Sequence, residues 1–151
     1  MKPFLETLKK TLVKIPASDL PSPVITYLVA EKCWRLEGPY ELPAGAVLPR
    51  DPQTALKIPA GFKFDLASIP RPLWWLIAPF ELSIAAPLVH DFLYRSGGNP
   101  PQDSVTPPRS YTRKETDQIF KHLMKGERVK PWRMNSAYLA VRWFGGKAWK
   151  D

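Results

Sequence analysis

Proline sets the first limit on what this chain can fold into. Eighteen of its 151 residues are proline, about one in eight and well over twice ordinary usage. Each proline fixes φ and lacks an N–H, so uninterrupted helices and central strands must lie between them. The prolines punctuate the first half of the chain and the segment 99–108, and Pro87 falls in the first turn of an expected helix, where proline is tolerated. A chain of this length can bury one modest core, so a single domain rich in turns is expected.

The apolar fraction of 44% and aromatic fraction of 12% exclude a disordered polyelectrolyte. One cysteine, Cys33, excludes an internal disulfide and a cysteine-built zinc site; it reads as a small buried apolar residue. The N-terminus, MKPFLETLKKTLVKIP, is charged throughout, so neither a signal peptide nor a spanning helix is expected.

Phe4, Leu5, Leu8 and Leu12 recur at helical spacing, predicting an amphipathic helix over residues 1–16. From Val24 to Asp65 the pattern changes to short β-prone runs, VITYLV, CWRLE, YELPAG and ALKIPAGFKFD. Each run is broken by Gly or Pro, as in an antiparallel meander, with Ile58, Phe62 and Phe64 pointing inward. Helices follow: a short one at Arg71–Ala78, a stronger one at Ile84–Ser96 stopped by Gly97-Gly98, and a third from Thr112 to about Lys125. Thr112 and Glu115 form a capping box. A fourth helix starts near Pro131 or Trp132, with Met134, Ala137, Tyr138 and Val141 on one face, and stops at Gly145-Gly146. The expected fold is therefore α+β, an antiparallel meander followed by three or four packed helices. Its single domain covers 24–146, and 147–151 form a basic tail.

The net charge of +8 is uneven. Residues 1–108 hold 11 basic and 10 acidic side chains, and residues 109–151 hold 11 and 4. Arg133, Arg142, Lys147 and Lys150 interleave with Trp132, Trp143 and Trp149, a pattern suited to an anionic lipid surface or, less well, to nucleic acid. A solvated helix face is the plainer account. No recognised nucleic-acid module accompanies the charge.

The stretch APLVHDFLYR (86–95) places polar groups in an apolar helix. His90 and Asp91 point about 100° apart and need different partners, while Tyr94 shares the face of His90 one turn on. Asp117, in the helix packed by Ile119, Phe120 and Leu123, is the candidate partner for His90. A carboxylate there would fix the imidazole tautomer and raise its basicity, as a general base requires. A buried histidine satisfied by a neighbouring helix is the competing structural account. Asp65 and Ser68, in DLASIPR, read as local hydrogen bonding with Arg71 available to Asp65; a third acidic group or a nucleophile are the alternatives, and Ser68 lacks the Gly-flanked turn of a nucleophile. A zinc site using His90 and His122 finds no common face.

Four blocks in order, GFKFDLASIPRPLWWLIAPF (61–80), AAPLVHDFLYR (85–95), RKETDQIF (113–120) and YLAVRWFG (138–145), resemble an uncharacterised domain family common in tailed-phage genomes. Thr116 stands where that family usually has Ala. The resemblance implies phage origin, in the host cytoplasm or the virion, but no reaction. A shorter pattern, HDFLYR followed by R-x-x-x-D-x-x-F, is similar to the His-Asp phospholipases, above all the disulfide-free version carried by small virus capsids. That similarity implies His90 as the base activating water, Asp91 as a calcium ligand, and Tyr94 and Asp117 as the groups orienting His90. The Gly-rich calcium loop of those enzymes is missing, since residues 73–89 contain no Gly. Asp65, Glu81 or carbonyls near 78–80 would have to complete the six to eight oxygens calcium takes. No cofactor is written into the sequence with certainty; calcium is the one this similarity brings. The functional expectation is a phage-encoded protein with a hydrolase-like His-Asp site acting on lipid ester or cell-envelope material. The alternatives are a virion or assembly protein whose polar residues are structural, and a nucleic-acid-binding accessory protein using the basic C-terminal third.

Overall fold

The computed structural model describes residues 23–64, 85–127 and 129–150. The expected helices at 1–16 and Arg71–Ala78, together with Asp65, Ser68 and Glu81, lie outside the described residues. Within them the chain is a mixed α+β fold of two antiparallel sheets and three helices.

Alternation builds the sheets. In β3 (Tyr40–Leu42) and β4 (Ala55–Ile58), Tyr40, Leu42, Leu56 and Ile58 are buried, while Glu41 and Lys57 face out. The register pairs Tyr40 with Ile58, Glu41 with Lys57 and Leu42 with Leu56, so each face carries like with like and the exposed pair is an ion pair. β1 (Ile25–Leu28) pairs with β2 (Cys33–Leu36), and β2 with β5 (Lys63–Phe64), giving the order β1-β2-β5. The other sheet runs β3-β4-β6, where β6 is Val105–Thr106. The segment 97–111, read from its Pro and Gly content as a loop, thus supplies an edge strand and a 3-10 turn at Gln102–Ser104. Two residues are too few to show a period of two in sequence. Cys33 is only half-buried and its thiol meets Glu31, because it sits at the open end of β2. Ile58 and Phe64 are fully buried and Phe62 partly so.

Helix α1 (Ala85–Arg95) has nine of its eleven residues buried, so it is a core helix rather than a surface one. It ends on Gly97 and Gly98, with φ of 60° and 79°, and the Gly98 N–H returns to the Leu93 carbonyl. Gly98 has no substitute: a Cβ there would lie 1.8 Å from the Tyr111 carbonyl oxygen. Helix α2 (Arg113–Gly126) begins with the full Thr112–Glu115 capping box. Helix α3 (Pro131–Phe144) begins on proline at its first position. The core joins Leu36, Leu42, Leu56 and Ile58 from the sheets to Leu88, Val89 and Leu93 of α1 and Ile119, Phe120 and Leu123 of α2. Each such side chain contributes about 1.5–3 kcal/mol of burial. None of the described helices is long and apolar enough to cross a membrane.

Candidate functional site

Three helices converge on one carboxylate. Asp117 on α2 is 0% exposed and holds three donors. His90 Nε2 of α1 lies 2.8 Å from Oδ1, the Tyr94 hydroxyl donates to the same oxygen, and Arg142 Nη1 of α3 donates to Oδ2 at 2.7 Å. His90 and Tyr94 reach one oxygen because they sit one turn apart on α1 and their rings lie 4.0 Å centre to centre. Phe120, one turn after Asp117, closes against His90 at 4.7 Å. Burial pushes the Asp117 carboxyl upward, but the hydrogen bonds from His90, Tyr94 and Arg142 outweigh it and leave it below the usual range. It is therefore an anion, which can only accept, so His90 carries its proton on Nε2.

The imidazole is held neutral. Desolvation lowers the His90 pKa, and the opposing bond and charge of Asp117 do not restore it. Burial raises the Tyr94 hydroxyl well beyond its ordinary value, and Asp117 adds to the rise. The network is thus one anion, one neutral imidazole, one neutral phenol and one guanidinium, which balances the buried charge.

A further shell fixes Tyr94. Arg113 Nε donates to its hydroxyl at 3.2 Å, and Arg113 Nη2 donates to the Val141 and Arg142 carbonyls at 2.8 and 2.6 Å. Those are the last carbonyls of α3, where a cation is favoured by the helix dipole. Gly145 lets the chain pass so close that a Cβ would stand 3.0 Å from the Tyr94 hydroxyl. Residues 147–150, expected as a basic tail, fold back instead: Trp149 lies edge-on to Tyr94 at 5.1 Å, and the Lys150 N–H bonds the Tyr94 carbonyl.

The other singled-out residues separate. Asp91 faces away from His90 and pairs with Arg95 at 3.1 Å, and Asp65 lies outside the described residues. Among the described residues no group of three or more His, Cys, Asp or Glu could hold a metal ion. Asp65, Glu81 and the carbonyls near 78–80, named above as completing the six to eight oxygens of a calcium shell, lie outside the described residues. Of the basic residues, Lys147 and Lys150 are exposed and Arg133 is half-buried beside the Trp132 ring. Arg142, counted from sequence as surface charge, turns inward onto Asp117; it is a correction that charge counting could not make, since a guanidinium carries its charge far from its backbone. Arg113 was missed altogether. Its signal was present, one turn ahead of Asp117 at i−4 on the same helix face.

No match was found among curated proteins or among solved structures. A family assignment is possible all the same, and the matched region takes in His90, Tyr94, Arg113 and Asp117, with Arg142 one residue beyond its end. Residues 40–141 match the family described as "Protein of unknown function (DUF1353)", more than half of the chain, and the chain belongs to that family.

Proposed function

We propose that this is a phage-encoded hydrolase-like protein in which His90 activates water against an ester of lipid or cell-envelope material. The observation that carries the reading is the hydrogen bond of His90 Nε2 to the ionised Asp117. With Nε2 protonated, Nδ1 holds the lone pair and is the nitrogen that accepts a proton. Water would give its proton to Nδ1 while its oxygen adds to the ester carbonyl. Collapse of the tetrahedral adduct then breaks the ester bond, and the leaving alkoxide takes the proton back from the imidazolium. Asp117 would stabilise that imidazolium, and Tyr94 and Arg142 keep the carboxylate in place. This is the role pattern of the His-Asp phospholipases.

A lipid surface suits the outer face of α3. Trp132, Leu139 and Trp143 form one stripe, 49%, 43% and 72% exposed, on the side opposite buried Ala137 and Val141. Lys130, Lys147 and Lys150 stand exposed at its two ends, the arrangement of an interfacial helix on anionic headgroups. The protein would work in the host cytoplasm or as part of the virion.

A second reading has its own observation. His90 and Tyr94 are 1% exposed and Asp117 0%, as in a network that fixes the junction of three helices in a virion or assembly protein. One experiment separates the two. Wild-type protein and His90→Gln are assayed for fatty-acid release from phosphatidylglycerol vesicles, and their melting temperatures are compared. A loss of activity of about 100-fold or more with melting within about 2 °C supports the hydrolase. An inactive wild type together with a destabilised variant supports the structural account.

A further inference from the structure

Helix α2 presents a second polar face that takes no part in the Asp117 network. Gln118, Lys121, His122 and Lys125 fall at i, i+3, i+4 and i+7, which aligns them in one row. Two other parts of the chain close on that row. Arg50, from the loop between β3 and β4, donates from Nη2 to the Gln118 amide oxygen at 2.7 Å. Tyr138 of α3 offers its ring to Lys121, whose Nζ lies 5.0 Å from the centroid. Together with Leu48 and Pro49 they line an open surface pocket of about 320 Å³. Three permanent cations and an imidazole line it, and no acidic side chain among the described residues does.

That composition leaves the pocket with cationic groups from two parts of the chain and, among the described residues, no counter-charge in its lining. Like charges around one concavity repel, and at His122 the charge of Lys125 adds to burial, the larger cause, in holding the imidazole below its usual pKa. Among the described residues no carboxylate pairs with Arg50, Lys121 or Lys125, although Arg109 nearby in the fold takes both Asp51 and Glu115. The one directed contact, Arg50 to Gln118, is a neutral acceptor that leaves the guanidinium charge uncompensated. An anion entering the cavity would meet Arg, Lys and imidazole donors from two sides and relieve their repulsion. The volume suits a small molecule rather than a polymer.

We infer that the cavity between the Arg50 loop, α2 and Tyr138 is a binding site for a small phosphate-bearing ligand, with Arg50, Lys121, His122 and Lys125 as the anion donors. It shares no side chain with the His90 network and stands or falls separately from the hydrolase reading. Gln118 positions Arg50, and Tyr138 positions Lys121.

The test is a titration of the ¹⁵N-labelled full chain with inorganic phosphate and, in a second arm, with phenyl phosphate. Saturable shifts confined to residues 118–125 and to the Arg50 loop are expected, with a midpoint below about 10 mM. Tighter binding of phenyl phosphate would identify a phosphate ester as the ligand class, and equal or tighter binding of inorganic phosphate would identify the free anion. The double variant Lys121→Gln/Lys125→Gln should raise Kd about tenfold or more with an unchanged melting temperature. Lys147→Gln/Lys150→Gln, which removes the same charge elsewhere, should leave Kd within about twofold. Shifts that never saturate, or equal weakening by the two double variants, would show non-specific attraction and overturn the site.

Discussion

The two histidines of this protein sit on neighbouring helices and are both held below their ordinary pKa by burial, yet with charged neighbours of opposite sign. His90 lies in a closed shell where burial lowers its basicity and a carboxylate partly restores it. His122 lies half-buried at a cavity, where burial and the charge of Lys125 act together and nothing opposes them. In the first region His90 Nε2, the Tyr94 hydroxyl and both Asp117 oxygens are each held by a group on another helix. In the second the cations face a space and one another. A satisfied network resists change, whereas an unbalanced one awaits a counter-charge.

The contrast is broken most directly at Asp117. Asp117→Ala leaves a half-buried guanidinium, a buried phenol and a buried imidazole without their common acceptor, and should cost about 3–5 kcal/mol in chemical denaturation. A loss under about 1 kcal/mol would mean that the network holds nothing together. Next, Tyr94→Phe removes the donor to Asp117 and the acceptor of Arg113, and should cost about 1–3 kcal/mol while keeping the ring contact with Trp149. Smaller again is the effect of acid. A histidine whose folded pKa is depressed binds fewer protons folded than unfolded, so stability is lost as pH falls below the unfolded value of about 6.5. Each such histidine adds a slope of at most about 1.4 kcal/mol per pH unit. Denaturation at pH 7.5, 6.5 and 5.5 should show His90→Gln flattening this slope more than His122→Gln, because His90 is the more completely closed from water. The reverse order would exchange the two environments. Smallest of all, His122→Gln at pH 7.5 should shift stability by no more than about 0.5 kcal/mol, and a larger loss would show that the cavity wall is packed rather than open.

What sequence could foresee follows the range of each interaction. The Thr112–Glu115 cap spans three residues, and the stop at Gly97-Gly98 needs only a positive φ, so both were legible. The meeting of His90 with Asp117 was legible for a different reason: a polar group in an apolar helix must find a partner, and few carboxylates were placed to serve. Pairings carried by long side chains or by few residues were not. Arg142 was counted as surface charge, and Arg113 entered only in the basic total of residues 109–151, because composition records sign and not direction. β6 was hidden because Val105 and Thr106 become a strand only when β4 lies beside them. The cavity on α2 was half legible as a row of i, i+3, i+4 and i+7 positions, but its other wall comes from Arg50, about 70 residues earlier, where no local rule applies.

The inward turn of Arg113 and Arg142 has a consequence for any surface that this protein meets. Of the eleven basic side chains in residues 109–151, these two are committed to internal acceptors, and Arg109 is clasped between Asp51 and Glu115. No more than eight are left to displace counterions from a polyanion. Since each neutralised phosphate steepens the fall of affinity with salt by a fixed increment, the ionic-strength dependence of such binding will report this smaller number, and with it the hidden geometry of the helix junction.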